Sequence, residues 1–227
     1  MAKISIIIPV LNEADGIEDF LQSLQPLRKL GHEIILVDGG SDDNTCDLAP
    51  PLVDKLLHSE RGRAKQQILG AQNASGYIFL FLHADTQLPE LAEYWILRKI
   101  TNGRHWGFFN IKLSGSNWLL WIIGKMMSWR SCLTGIGTGD QAIFVKKSLY
   151  NKVQGIPDIA LMEDIAFSRR LLKFHKPVCF EERVITSSRR WEKNGILKTI
   201  IVMWSLRVFY FFGVKPKTLY KMYYPGN

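Results

Sequence analysis

The run Ile4-Ser5-Ile6-Ile7-Ile8-Pro9-Val10 constrains the fold more than any other stretch of the chain. It is short, almost continuously apolar and rich in β-branched residues. Such a run suits a strand buried on both faces of a parallel sheet. A strand–helix rhythm follows it. Ile17, Phe20, Leu21, Leu24 and Leu27 fall on one stripe and predict a helix. Glu33 to Val37 predicts a second strand, and Ser41-Asp42-Asp43 offers capping residues for a short helix. Leu52 to Leu57 reads as a weaker third strand, Gly62 to Ala74 as a helix, and Tyr77 to Leu82 as another buried strand. The βαβαβαβ series predicts an α/β fold with a doubly wound, mostly parallel sheet flanked by helices.

In such sheets ligands sit beyond the carboxyl ends of the strands. The residues in that position are Asn12-Glu13, Asp38-Gly39-Gly40 and His83-Ala84-Asp85. From Gly107 the rhythm changes. Phe108 to Leu113, Gln141 to Val145 and Val178 to Phe180 predict strands, and Met162 to Lys173 a helix. The last 35 residues read as helical and aromatic. We expect one domain over 1–227, with a nucleotide half to about 86, an acceptor half over 87–191, and a C-terminal helical appendage over 192–227.

Composition narrows the function. Hydrophobic residues make up 47% and charged residues 22%, enough for a core and too apolar for disorder. The formal charge of +8 favours an anionic ligand: nucleic acid, acidic lipid or a phosphorylated small molecule. Cys46, Cys132 and Cys179 lack CxxC or zinc-like spacing, so they are expected as free thiols in a reducing, cytoplasmic setting. Pro9, Asn12 and Glu13 cut the first apolar run too short for a signal peptide.

The motifs Ile7-Ile8-Pro9-Val10-Leu11-Asn12-Glu13, Leu36-Val37-Asp38-Gly39-Gly40-Ser41-Asp42-Asp43-Asn44-Thr45, Arg61-Gly62-Arg63-Ala64, His83-Ala84-Asp85, Glu163-Asp164 and Arg190-Trp191 occur in this order. Together they resemble family 2 glycosyltransferases of the GT-A fold. Gly139 to Val145 and Ser188 to Gly195 are most similar to the small bacterial branch called radical-SAM/selenodomain-associated transferases. The resemblance implies a nucleotide-diphosphate sugar donor, UDP-sugar favoured, and a sugar or lipid-linked hydroxyl acceptor. It implies donor contacts from Pro9, Leu11, Glu13, Asp38, Arg63, His83, Ala84 and Asp85.

Each residue also has its own chemistry. Asp38 can accept from a nucleobase N–H, or simply cap the turn before Gly39-Gly40. Arg61-Gly62-Arg63 opens a helix, where free N–H groups and guanidinium charge attract a diphosphate. A bare cation there is mildly unfavourable, so the misfit itself points to an anion. Asp85 offers a hard oxygen ligand for Mn²⁺ or Mg²⁺. The family pattern there is Asp-x-Asp, and His83 takes the first place. It is read as a ribose contact, a Mn²⁺ ligand or a turn residue without a role.

Glu163-Asp164 starts a helix, where acids are stabilising without any function. The resemblance makes the second acid, Asp164, the general base, with Glu163 beside it. One base and one metal imply a single displacement with inversion. Asp140, Gln141, Arg190 and Trp191 are expected around the acceptor or the leaving phosphate. Ser187 stands where the family's Gln-x-x-Arg-Trp motif begins with Gln, which weakens a reading as a processive polymer synthase.

Two other classes are weighed. A nucleotidyltransferase would carry a Gly-rich basic loop after the first strand, and Leu11-Asn12-Glu13-Ala14-Asp15 is acidic. No GxGxxG follows any strand. A non-catalytic nucleic-acid or anionic-lipid module fits the charge, but three acids at strand ends and a helix start would oppose a phosphate backbone. No nucleic-acid partner is expected. Ile196 to Val214 is apolar nearly all round, broken by Lys198 and Arg207 and followed by Lys215 and Lys217. Trp118, Trp121 and Trp129 stand near Lys125 and Arg130. These segments are expected to contact a membrane surface, at the inner face of the membrane, or else the core or a second subunit.

Overall fold

The computed structural model describes residues 2–224, except for the side chains of Arg190 and Asn194. The chain runs β1 (Ile4–Val10), α1 (Ala14–Ser23), α2 (Gln25–Lys29), β2 (Glu33–Asp38), α3 (Thr45–Leu48), β3 (Lys55–His58), α4 (Arg63–Asn73) and β4 (Ile78–Phe81). It continues through β5 (Thr86–Gln87), α5 (Ala92–Thr101), β6 (Trp106–Leu113), α6 (Trp118–Thr134), β7 (Ile143–Lys146), α7 (Lys147–Lys152), α8 (Glu163–Leu172) and β8 (Val178–Thr186). Three helices close it: α9 (Arg189–Asn194), α10 (Ile196–Phe211) and α11 (Pro216–Tyr223).

One eight-stranded sheet joins these strands in the order β3-β2-β1-β4-β7-β6-β8-β5. β1 pairs in parallel with β2 and β4, and β2 with β3. β6 and β8 are also parallel, while β7 runs antiparallel to both β4 and β6. The expected mixed α/β sheet, mostly parallel, is therefore present. Its four N-terminal strands, β1 to β4, run parallel and carry their carboxyl ends to one edge. Apolar clusters cover both faces: Ile6, Ile8, Leu36 and Leu80 on one, Ile7, Ile35, Val37 and Phe79 on the other. Residues of β1 alternate between them, as a strand buried on both sides must. Gly70 lets α4 lie directly on β1, since a Cβ there would sit 2.4 Å from Ile7 Cγ2.

Several expectations change. The helix over Ile17–Leu27 is two helices, because Pro26 near the start of α2 lacks the N–H that would continue α1. α3 begins at Thr45 with Asn44 as its N-cap, and of the run Ser41-Asp42-Asp43 it is Asp43 that serves the helix start, its Oδ1 accepting from Thr45 N at 3.0 Å. β8 runs on to Thr186 rather than ending at Phe180, with polar residues alternating outward. Cys132 and Cys179, expected as free thiols, are paired as a disulfide with Cα atoms 5.6 Å apart. Cys46 is free. The apolar segment from Asn117 is α6, which lies on β6 and donates no span: among the described residues no helix is long and apolar enough to cross a membrane. Ser128 Oγ accepts from Ile111 N at 2.9 Å and holds α6 to the sheet.

Candidate active site

The carboxyl ends of β1, β2 and β4 form one edge, and side chains lock their loops together. Gln66, from α4, donates through Nε2 to Val10 O at 2.7 Å and to Val37 O at 2.8 Å. This buried amide clamps the ends of β1 and β2. The Asp42-Asp43 pair finds its use here: Asp42 N donates to Asn12 Oδ1, and Ala14 N donates to Asp43 Oδ2. Asn12 N donates to Ser41 Oγ and Glu13 N to Thr45 Oγ1, both at 2.9 Å. Asn12 sits at a φ of 55°, a conformation that Asn tolerates.

Asp38, the last residue of β2, is buried. Its carboxylate accepts from Gly40 N at 3.0 Å, Ser41 N at 3.1 Å and Ser41 Oγ at 2.5 Å. Burial alone would raise its pKa, but these donors outweigh it and hold the carboxyl below its ordinary value. Asp38 thus caps the turn, and the anionic form keeps lone pairs for a further donor. His58 Nδ1 lies 3.6 Å away. Among the described residues, Asp38, Cys46 and His58 are the one group of three metal-capable side chains whose donor atoms lie within 4.8 Å of each other.

Glu13 and Asp85 share the other side of this edge. Burial raises the Glu13 pKa first; Arg189 opposes it, and Asp85 adds to it. Arg189 Nη2 stands 3.5 Å from Glu13 Oε2. Asp85 is exposed, touched by Thr86 Oγ1 at 3.3 Å. Pro9 pairs with Val37 in the sheet, and Pro9, Leu11 and Ala84 are half-buried beside the edge.

A second edge meets the first. The turn at Gly139–Gln141, preceding β7, packs on the start of α8. Gly139 N donates to Asp164 Oδ2 at 2.9 Å, and Ile165 N donates to Asp164 Oδ1 at 2.7 Å. Asp140 Oδ1 lies 3.2 Å from His83 Nδ1. His83 is buried, and its Nε2 has no hydrogen-bond partner among the described residues. A Cβ on Gly139 would lie 2.6 Å from that nitrogen, so this contact requires glycine. Glu163 is buried, and Arg63 Nη1 approaches its Oε1 to 3.6 Å. Burial raises the Glu163 pKa, Arg63 opposes it, and Asp164 adds to it. Burial likewise works against the Arg63 charge, but Glu163 and Asp140 more than offset it. Arg63, at the start of α4, therefore points into acids supplied by the second half of the chain. Met162, at φ 68°, and Ala142, at φ 48°, are strained residues flanking this junction.

Glu163 and Asp164 open onto a cleft whose other wall is Met203, Leu206 and Arg207 of α10 with Tyr223 and Tyr224. A small cavity behind them is lined by Gln67, Phe81 and Phe167.

The Glycosyl transferase family 2 model matches residues 5–122, the stretch that carries the carboxyl ends of β1, β2 and β4. The chain belongs to glycosyl transferase family 2. A dolichol-phosphate mannosyltransferase of Pyrococcus furiosus is 29% identical over 163 residues, covering 69% of this chain and 44% of the relative. A poly-β-1,6-N-acetyl-D-glucosamine synthase of Staphylococcus aureus is 26% identical over 216 residues, covering 90% of this chain and 46% of the relative. The chain thus spans less than half the length of these relatives. Among solved structures, S. aureus TarS 1–349 in complex with UDP superposes with a TM-score of 0.66 at 16% identity, covering 82% of this chain and 60% of that one. Mannosyltransferase PcManGT from Pyrobaculum calidifontis, in complex with GDP-Man and Mn²⁺, gives 0.63 at 18% identity, covering 81% and 56%. These likenesses establish the GT-A fold.

Not every expected residue of this family 2 chain faces the cleft. Gln141 is fully buried: Oε1 accepts from Ser131 Oγ and Thr138 N, and Nε2 donates to Phe109 O. It braces the turn that carries Asp140 rather than meeting an acceptor. Trp191, the one apolar residue of α9, is buried in the core cluster that also holds Leu120 and Ile123 of α6, so it anchors α9 rather than facing an acceptor. The Arg190 side chain lies outside the described residues. Gln66, Arg189 and Arg207 were not anticipated. Gln66 lies one turn beyond Arg63 on α4, but nothing in the sequence marks it as a clamp.

Proposed function

We propose that this chain transfers a sugar from a nucleotide-diphosphate donor to a hydroxyl acceptor, with inversion at the anomeric carbon. Family membership and the names of its relatives support the reaction class. The observation that carries the reading is the placement of Asp164: a carboxylate fixed by two backbone N–H groups, on the cleft wall that meets the donor edge.

The base binds at Asp38, whose anionic carboxylate accepts from an N–H of the ring. Arg63 and the start of α4 face the diphosphate. Asp164 takes the proton from the attacking hydroxyl. Glu163, buried and paired to Arg63, holds the guanidinium in place between the two halves. Asp140 orients the His83 ring, which lies against Gly139 where the two edges meet.

A divalent cation fits Asp85. Its exposed carboxylate shares a space with Glu13, and hard ions take one or two carboxylates with the rest of the shell from phosphate and water. When bound, Mn²⁺ or Mg²⁺ would neutralise charge on the leaving diphosphate. The soft, mixed donor set at Asp38, Cys46 and His58 suits such an ion less well.

A thermal-shift panel of UDP, GDP, TDP and CDP, each with and without Mn²⁺, tests this reading. The matching nucleotide raises the midpoint by mass action, and more so with the ion. No shift with any of the four would overturn it.

A further inference from the structure

We propose that α10, with the lysines of α11 and the tryptophans of α6, seats this protein on an anionic bilayer surface. The outer stripe of α10 is Leu197, Ile201, Trp204, Val208 and Phe211, spaced along one helix face, with Phe212 beyond it. Leu197 is 71% exposed and Phe211 72%. A helix on a soluble domain turns polar residues outward; this one is apolar on its outer face as well as on the inner face, which buries Leu206 and packs Ile196 and Ile200 on the core. The helix is too short to cross a bilayer, so its outer face can only lie in an interface. On α6 the outward residues are again apolar: Trp118, Trp121 and Trp129, with Lys125 Nζ 3.9 Å above the Trp121 ring. Tryptophan beside lysine suits the headgroup layer, where a ring is half-solvated and an ammonium reaches phosphate.

Charge decides between a bilayer and a second copy of the chain. The segments 114–139 and 193–227 contain no Asp or Glu at all, although the chain has 21. They hold eight Lys and Arg: Lys125 and Arg130 in the first, and Lys193, Lys198, Arg207, Lys215, Lys217 and Lys221 in the second. Arg130 and Arg207 turn toward the cleft acids, but the six lysines are exposed, and a symmetric self-contact of these segments would set those lysines against each other with no acid of their own to pair them. An anionic lipid surface is their complement, and each nearby cation adds to the attraction.

The same helix has a second side. Met203, Leu206 and Arg207 line the cleft that holds Glu163 and Asp164. A seated α10 therefore holds the catalytic cleft at the lipid surface and favours a lipid-borne acceptor. That last step rests on the glycosyl-transfer reading; the docking itself does not.

The test is co-sedimentation of the full chain with phosphatidylcholine vesicles, with and without phosphatidylglycerol, at low and high salt. Nucleotide thermal shift is measured on the same protein. Binding to the anionic vesicles is expected, weakened by salt and at least about tenfold weaker on neutral ones. The triple change Lys215→Glu, Lys217→Glu, Lys221→Glu should abolish it, and Ile201→Ser should weaken it, while circular dichroism and the nucleotide shift stay unchanged. Brominated lipid should quench tryptophan emission, less so in Trp204→Phe. Protein that stays in the supernatant overturns docking, and a stable dimer by light scattering assigns the stripe to a second copy. Vesicle binding without any nucleotide shift supports docking and sinks the transfer reading instead.

Discussion

Arg63 Nη1 stands 3.6 Å from Glu163 Oε1, and this pair ties the start of α4 to the start of α8. The two residues come from opposite halves of the sequence. Glu163 is 5% exposed at its side chain, and Arg63 is 42% exposed. Removing the guanidinium leaves a buried carboxylate without its nearest cation. Arg63→Met should cost roughly 1–3 kcal/mol, below the figure for a fully buried pair because solvent screens the arginine end. Glu163→Gln in that background should recover part of the loss. Urea unfolding of the four proteins checks this; additivity within about 0.5 kcal/mol would mean that the pair is not coupled.

Asp164 and Glu163 separate by function. Asp164→Asn keeps the shape and one hydrogen-bond acceptor, but it cannot take a proton. Turnover should fall by about 10²–10⁴ with nucleotide affinity nearly intact. Glu163→Gln should be milder in turnover and act through Arg63. A crippled Glu163→Gln beside an active Asp164→Asn would move the base by one residue. A product with retained anomeric configuration would reject single displacement.

Asp85 is exposed and free of strong partners, so its loss should not disturb the fold. Asp85→Ala should remove the Mn²⁺-dependent part of nucleotide affinity and leave the metal-free part. Calorimetry with and without the ion reads both. An unchanged Mn²⁺ dependence would place the ion elsewhere, with Asp38, Cys46 and His58 the first alternative.

The edge at the carboxyl ends of β1, β2 and β4 was legible because a strand buried on both faces announces itself as an apolar run, and its carboxyl end is then fixed. The position of Asp38 and His83-Ala84-Asp85 on that edge follows from that rule alone. The second half of the chain was less legible for a physical reason. β8 beyond Phe180 reads Glu181-Glu182-Arg183, which looks like a loop until its alternation is seen against β6. α5 was missed. Gln141 and Gln66 look alike in sequence, as polar residues near motifs. Only packing shows that both are buried braces, one on Phe109 O and the other on Val10 O. The partnership of Cys132 with Cys179 depends on α6 folding back over β8's neighbour, a contact that spacing does not encode. The Asp42-Asp43 pair was legible only in part: Asp43 does meet Thr45 at the start of α3, but the partners Asn12 and Ala14 lie across the sheet edge.

Glu33 is one carboxylate that should link the stability of the fold to acid pH. It opens β2, is buried, and accepts from Ser5 Oγ at 2.5 Å and Ser75 N at 2.9 Å. Lys55 Nζ lies 3.0 Å from its other oxygen. Burial alone would raise its pKa, but the donors from Ser5, Ser75 and Lys55 outweigh it and hold the carboxyl at about 2, against an ordinary 4.5. A folded value below the unfolded one means that the unfolded chain binds the proton more readily. The stabilisation is therefore complete above about pH 4.5 and drains away as the pH falls toward about 2. Its size is on the order of 3 kcal/mol. Glu33→Gln should be less stable at neutral pH by about that much at most, since the amide keeps some of the hydrogen bonds. The two proteins should converge in stability as the pH drops through this window. Urea midpoints for both, measured at neutral pH and near pH 3, read the difference directly. Parallel profiles would show that the carboxylate is not the linked group, and would leave the remaining acids to account for acid unfolding.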